Sequence, residues 1–370
     1  MDLQPLQHGI DSVRDAERPA RADIEHLLSL QDDAEMQLLF EAADAVRSRY
    51  VGDGVLLRGL IEFSNVCRGT CRYCGLNRNN ERLERYSLSE RQILECVAEI
   101  HAHRIRTVVL QCGQDAGFDP QWLASLIERI KAAYDMAVTL SAGEYPHDVY
   151  ELWKQAGADR YLLKIETVDP ALYRSLHPGM SLDNRLRCLS DLFELGYQVG
   201  TGNLVGLPGQ NIEHLADDIL FFSRGGFGML SVSPFIPHAC TPLRDFPAGD
   251  LWLTCKTLAV ARIVTKNAHM PASTAVASLG GRDHRIHALR AGANVVMPNF
   301  SPSNYRPLYE IYPGKRGIAL AASQSINAIR ELVSRIDRKV DCGRGDCLKS
   351  VSGSGVPLAQ KAMNRSVCKE

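Results

Sequence analysis

The residues best suited to chemistry are three cysteines in one short stretch, Cys67-Arg-Gly-Thr-Cys71-Arg-Tyr-Cys74. The spacing is C-x3-C-x2-C, with an aromatic residue, Tyr73, just before the last cysteine. Iron–sulfur clusters take cysteine thiolates as ligands, so three thiolates on one loop suit three irons of a [4Fe–4S] cube. The fourth iron is then left open, and an open iron can chelate a small molecule through an amine and a carboxylate. S-adenosylmethionine (SAM) offers that pair. A reduced cluster can break its C–S bond to give a 5′-deoxyadenosyl radical. A structural zinc site is the alternative, but zinc wants four closed ligands, usually at paired C-x2-C or Cys/His spacings. No second pair follows at the usual distance.

Further polar groups stand beside runs that read as strands. Gln111-Cys-Gly-Gln-Asp115 follows one such run; its glycine exposes backbone groups that could grip the amine of SAM, and a tight turn explains it equally well. Thr139, Ser141, Gly143 and Glu144 end another, where hydroxyls could bond a ribose or a carboxylate, or simply cap the helix before Pro146. Lys164 and Glu166 flank Ile165, and the two-residue period of a strand points both to one face. A charged pair there is costly unless partnered, which favours a ligand role. Arg185 could pair bidentately with a carboxylate or lie on a solvated helix face. Residues 200–209 are glycine-rich but lack Gly-Lys-Ser/Thr, so they do not read as a phosphate loop. Phe235 or Ile236, in the proline-rigid loop 234–242, could wall an adenine. Tyr309 and Tyr312 share a face; they read either as packing or as the wall of a substrate pocket.

Elements must position these groups. An apolar run over 55–63 predicts a buried strand feeding the cysteine loop. From there strand and helix patterns alternate. Helices are predicted over 89–103, 119–134, 146–156, 183–195, 212–223, 254–265, 284–291 and 323–335, and strands over 107–111, 136–141, 160–165, 198–205, 229–232, 271–276 and 294–297. Alternation of this kind argues for a parallel sheet. About eight units in this length predict a complete (β/α)8 TIM-type barrel, with an open doubly wound sheet as the other option. Active groups should then lie at the C-terminal ends of the strands. We divide the chain into an N-terminal helical extension (1–50), whose residues 24–50 read as helix, the barrel (51–322), and a C-terminal helix with a loosely ordered tail (323–370).

The 370 residues carry 11 cysteines and a formal net charge of −1. Near-balanced charge gives no electrostatic reason for a nucleic-acid or membrane partner. No apolar run reaches the roughly 18 residues needed to cross a bilayer. Residues 1–21 do not read as a signal peptide. The cysteines therefore read as reduced thiols and metal ligands, in a reducing cytoplasm. Cys96, Cys188 and Cys255 fall in helical patterns and read as small core residues. Cys342, Cys347 and Cys368 lie in the tail, where their spacing is a weak signal for a second cluster.

The cysteine motif with Tyr73 resembles that of the radical SAM superfamily. Longer strings narrow the resemblance: Ile61-Glu-Phe-Ser-Asn-Val-Cys67, Tyr73-Cys-Gly-Leu76, Ala158-Asp-Arg-Tyr-Leu-Leu163, Val205-Gly-Leu-Pro-Gly-Gln210, Pro234-Phe-Ile-Pro-His238, Gly292-Ala-Asn-Val-Val-Met-Pro-Asn299 and Tyr312-Pro-Gly-Lys315. They are similar to the [FeFe]-hydrogenase maturase (HydE) family, grouped with biotin synthase and methylornithine synthase. The resemblance runs from about residue 24 to 315 and implies a (β/α)8 barrel. It implies that Cys67, Cys71 and Cys74 bind the SAM-cleaving [4Fe–4S] cluster with Tyr73 beside it. It implies that Gln111, Thr139, Ser141, Lys164, Glu166 and Arg185 border SAM. Arg160, Met229, Ser273, Thr274, Tyr309 and Tyr312 would face a central cavity. The implied substrate is an iron–carbonyl–cyanide–cysteine complex whose sulfur the radical attacks. Implied partners are that organometallic small molecule, a reductant such as ferredoxin or flavodoxin, and other hydrogenase maturases. Two departures stand out. Lys164 and Ile165 replace the family's Arg-His, and lysine lacks the planar fork of arginine. Residues 317–335 also lack the cysteines that several relatives use for an accessory cluster, so no cluster is expected there. Both departures keep open a related enzyme acting on another small amino-acid or sulfur-containing substrate. A pure cluster scaffold or electron carrier would need no cavity lined by Glu166, Arg185 and Thr274.

Overall fold

The computed structural model of the protein describes residues 3–115, 117–316 and 320–348. Three helices lead: α1 (Gln4–Asp15), α2 (Arg21–Ser29) and α3 (Asp33–Val51). The expected single helix over 24–50 is thus two, because the Asp32 carboxylate accepts from the Ala34 and Glu35 N–H groups and starts α3 afresh. α1 lay outside the sequence expectation; its short polar stretch is helical because Leu6, Ile10 and Val13 fall on one buried face.

β1 (Gly54–Leu57) and β2 (Gly59–Ser64) are two halves of one strand, interrupted at Arg58. The chain then alternates through α4 (Glu90–Ala102), β3 (Thr107–Cys112), α5 (Pro120–Ala133), β4 (Ala137–Ser141), α6 (His147–Gln155) and β5 (Arg160–Leu162). Next come α7 (Pro170–Leu176), α8 (Leu182–Glu194), β6 (Gln198–Val205), α9 (Ile212–Gly225), β7 (Met229–Pro234) and α10 (Leu251–Thr265). α11 (Thr274–Ser278), α12 (Arg285–Arg290), β8 (Val295–Val296), α13 (Ala322–Ser334) and β9 (Lys339–Asp341) complete the described fold. Capping sets many of these boundaries. Ser89 and Gln92 form a reciprocal capping box on α4, and Asp119 and Asp250 accept from the first turns of α5 and α10.

β2 to β7 form one parallel sheet in sequence order, and β8-β1-β9 form a second parallel sheet. Single parallel bridges also join Met229 to His269, Pro271 to Val295 and Leu60 to Asn299. The helices cover the outside: Phe63 points away from the strand interior and meets the rings of Phe118 and Trp122 at 6.1 and 6.3 Å. One continuous core runs from Leu6 in α1 to Val333 in α13. No helix among the described residues is long and apolar enough to cross a membrane.

Two expectations need correction. Residues 271–276 are not a strand; only Pro271 bridges, and Ser273 then caps α11 by accepting from the Val276 N–H at 3.3 Å. The tail is not loose over 339–348. β9 pairs with β1 in parallel register, and the residues after it pack beneath the strands. Residues 349–370, with Cys368, lie outside the described residues.

Candidate active site

The cysteine loop leaves the C-terminal end of β2 and is braced by side chains. Asn65 Oδ1 accepts from the Tyr86 N–H at 2.7 Å, and its Nδ2 donates to the carbonyls of Glu84 and Leu308. The Arg85 guanidinium donates to the carbonyls of Asn65, Leu76 and Asn77 at 2.8–2.9 Å. Gly69 N–H donates to Cys67 Sγ at 3.3 Å. A Cβ at Gly69 would lie 3.2 Å from Cys67 Sγ and 3.6 Å from Cys71 Sγ, so both sulfurs gather over this glycine. Gly113 lies flat beneath Cys67, where a Cβ would press on the Val66 carbonyl and come within 2.7 Å of Cys67 Cβ. Its N–H is taken by the Ser64 carbonyl at 3.0 Å, so it packs the loop rather than offering a free donor.

Cys67, Cys71 and Cys74 are free thiols. Burial pushes the Cys71 thiol up to about 12, with Arg185 opposing, and drives Cys74 well above its ordinary value. A thiolate here needs a nearby cation, and iron supplies one. Among the described residues no three His, Cys, Asp or Glu groups converge on a single ion. Three free thiols on one loop suit an iron–sulfur cluster, which takes cysteine ligands. Tyr73 donates its hydroxyl to His177 Nε2 at 3.0 Å, and His177 Nδ1 pairs with the Tyr173 carbonyl at 3.1 Å. Burial, with Arg185 nearby, lowers His177 to about 3, so the ring is neutral and serves both contacts.

The polar groups of β4 to β6 converge beside this loop. Lys164 Nζ and Glu166 Oε2 lie 2.9 Å apart as an ion pair, yet out of line for a hydrogen bond. β5 ends early at Leu162, and Glu166 takes φ of 65°, left-handed backbone for a non-glycine residue. It is held there by its N–H to the Gly202 carbonyl at 3.0 Å and by the Leu204 N–H on its own carbonyl at 3.2 Å. Buried Thr139 Oγ1 and Glu166 Oε2 have no hydrogen-bond partner in the chain. Such atoms are normally satisfied, so each of these two positions suits a polar ligand. Ser141 ends β4 on the same side as Thr139. Arg185 is buried, not on a solvated face. Its Nε donates to Glu144 Oε1 at 2.5 Å, and a second nitrogen donates to the Lys164 carbonyl. Burial alone would lower this guanidinium, but Tyr173 and Glu144 beside it leave it raised.

Gln111 Nε2 donates to Tyr309 OH at 3.2 Å. Tyr309 is buried, with Lys315 Nζ 5.0 Å above its ring. Lys315 pairs with Glu62, which also accepts from Asn299 at 2.7 Å. Tyr312 is half-buried on the same loop. Ser273 and Thr274 sit at the start of α11. Met229 and Arg160 lie lower, at the first residues of β7 and β5. Arg160 is fully buried and donates downward to Thr107, Gln198, the Arg344 carbonyl and Asp346. Sequence reading missed Glu62, Asn65, His177 and Asp346 because each works through a partner distant in sequence, and Arg85 because its partners are backbone carbonyls, which leave no side-chain pattern. Glu62 carried one signal, a charge inside the apolar run 55–63.

The model of the Radical SAM superfamily matches residues 61–222. The chain is 44% identical over 321 residues to the [FeFe] hydrogenase maturase subunit HydE of Thermotoga maritima, covering 86% of this chain and 91% of that protein. It is 30% identical over 276 residues to the 3-methylornithine synthase of Methanosarcina acetivorans, covering 74% and 77%. The crystal structure of methylornithine synthase (PylB) superposes with a TM-score of 0.79 at 27% identity, covering 90% of this chain and 97% of that one.

Proposed function

This chain belongs to the radical SAM superfamily, alongside HydE, and from that premise we propose that it is a HydE-type maturase in [FeFe]-hydrogenase assembly. Cys67, Cys71 and Cys74 would hold the [4Fe–4S] cluster. Thr139, Ser141, Lys164 and Glu166 would border SAM, with Gln111 nearby and Arg185 fixing the strand ends from behind. With cluster and SAM bound, the chemistry supplied would be a 5′-deoxyadenosyl radical, formed with methionine when one electron from the reductant cleaves the SAM C–S bond. The chain's own residues orient and enclose. Tyr73 walls the cluster loop through neutral His177. Glu166, ion-paired with Lys164, would offer hydroxyl groups its Oε2, which accepts no hydrogen bond within the chain. Tyr309 and Tyr312, on a loop anchored by Lys315 to Glu62, would wall the substrate, taken to be an iron–carbonyl–cyanide–cysteine species. A reductant such as ferredoxin or flavodoxin, and other maturases, are the partners this reading implies.

We also infer a complete (β/α)8 barrel within residues 51–322. The bridges from Met229 to His269 and from Pro271 to Val295 carry the parallel pairing from β7 round to β8 and β1, which supports closure. The observation that carries the function is the set of three free thiols on a loop beside the Lys164–Glu166 ion pair, whose Glu166 Oε2 accepts no hydrogen bond within the chain. The test is anaerobic reconstitution followed by SAM and dithionite. About four irons per chain and formation of 5′-deoxyadenosine are expected; iron-loaded protein that leaves SAM intact would refute the reading.

A further inference from the structure

After β9 the chain crosses beneath the barrel strands. The Arg106 N–H donates to the Cys342 carbonyl at 3.0 Å, and Thr107 Oγ1 donates to the Arg344 carbonyl at 2.9 Å, both at the start of β3. Gly345, at φ of 57°, lies against Leu56, and its carbonyl accepts from Arg58 Nη2 at 3.2 Å. The Cys347 N–H donates to Gln198 Oε1 at 2.9 Å at the start of β6, and its Cβ lies 3.1 Å from where a Cβ on Gly228 would stand. The Asp346 carbonyl lies 3.4 Å from His269 Nε2. One segment thus touches β1, β3, β5, β6 and the residues around β7, always at the N-terminal ends.

The Asp346 side chain does the decisive work. Its Oδ1 accepts from Arg160 Nη2 at 2.5 Å and from Gln198 Nε2 at 3.1 Å, and its Oδ2 accepts from Arg344 Nε at 3.0 Å. Asp159 also faces this cluster, accepting from Arg344 Nη2 at 2.9 Å, but Asp346 is the carboxylate that bonds Arg160 directly. Arg58 is buried, with Nε unpaired and Nη1 2.9 Å from Met229 Sδ, and His269 is buried beside it. A buried guanidinium without a carboxylate is strongly disfavoured. Arg160, assigned to the cavity wall, is therefore held from below, and Arg58, which also bonds the Gly345 carbonyl, meets Met229 beside it.

We propose that residues 342–347 are the floor of the reaction chamber and that Asp346 is a positioning residue that fixes Arg160 for substrate binding. This rests on the reading that Arg160 borders the substrate. A fixed floor keeps Arg160 in one rotamer and keeps bulk water from entering through the N-terminal mouth.

The experiment uses full-length, cluster-loaded protein as wild type, Asp346→Ala, Asp346→Asn and Asp346→Glu. Arg160 modification by phenylglyoxal is followed by peptide mapping, and substrate KM, kcat, SAM affinity and iron content are measured alongside. In Asp346→Ala, Arg160 should label faster and substrate KM should rise about tenfold, roughly the worth of one charge-assisted hydrogen bond. SAM affinity and iron content should hold, and Asp346→Glu should restore both readouts. Asp346→Asn, close in shape, gives the same answer should the alanine variant not fold. Unchanged labelling, or unchanged KM with only a lowered Tm, would overturn the proposal and leave the tail a structural brace. A wild type that does not convert the iron complex would instead refute the proposed reaction; the labelling result still decides whether the tail is a floor.

Discussion

Glu166 holds a left-handed backbone conformation that costs on the order of 1–3 kcal/mol for a non-glycine residue. Such strain persists only where the surroundings over-determine it, here through two backbone hydrogen bonds to β6. The conformation brings its carboxylate to Lys164 Nζ, 2.9 Å away. A charge-assisted hydrogen bond is typically worth about 1.5–3 kcal/mol. Glu166→Gln should therefore weaken SAM binding roughly ten- to a hundredfold with little change in Tm; unchanged affinity with a clearly lowered Tm would make the residue structural. Glu144 should behave in the opposite way. Glu144→Ala strands the buried Arg185 guanidinium and should cost about 3–5 kcal/mol of stability, measured by denaturant unfolding. Residues of both kinds were partly legible. The cysteines and the Lys164/Glu166 alternation are local patterns. The Asn65–Leu308 and Asp346–Arg160 contacts are not, because those partners lie far along the chain, and Arg85 bonds backbone carbonyls, which leave no side-chain pattern.

The elements were read well where the signal was apolar period or a cap, as in β3, α4 and α5. They were misread where a short segment depended on tertiary contacts. Residues 271–276 are β-compatible in composition, yet Ser273 as a cap turns them into α11. α7 was missed because only seven residues carry it, started by Asp169 accepting from the Leu172 N–H. The join between β3 and the cysteine loop yields a prediction at this scale. Gly113→Ala places a methyl group against Val66 and Cys67. The three cysteines all remain, but reconstituted iron should fall well below the wild-type content. Normal iron loading would show that the loop has room to shift.

At the scale of the whole molecule, the alternating pattern revealed the α/β architecture, while the tail's return to β1 was not visible. The segment after β9 is glycine-rich and charged, the usual signature of loose chain, and only its partners on the strand ends fix it. Cys342 and Cys347 sit in that segment as free thiols, with Cys347 Sγ 3.6 Å from the Asn267 carbonyl. Replacing Cys342, Cys347 and Cys368 together with serine should leave bound iron unchanged. A loss of about half the iron would reveal a second cluster. The most direct test of the central claim is anaerobic turnover of the reconstituted protein with SAM, reductant and the iron–carbonyl–cyanide–cysteine complex, with products identified by mass spectrometry. The account predicts complex-dependent SAM consumption, an adenosyl group on the substrate sulfur, and no product from Cys71→Ala. Slow release of 5′-deoxyadenosine at the same rate with and without the complex, and no adenosylated product, would contradict it.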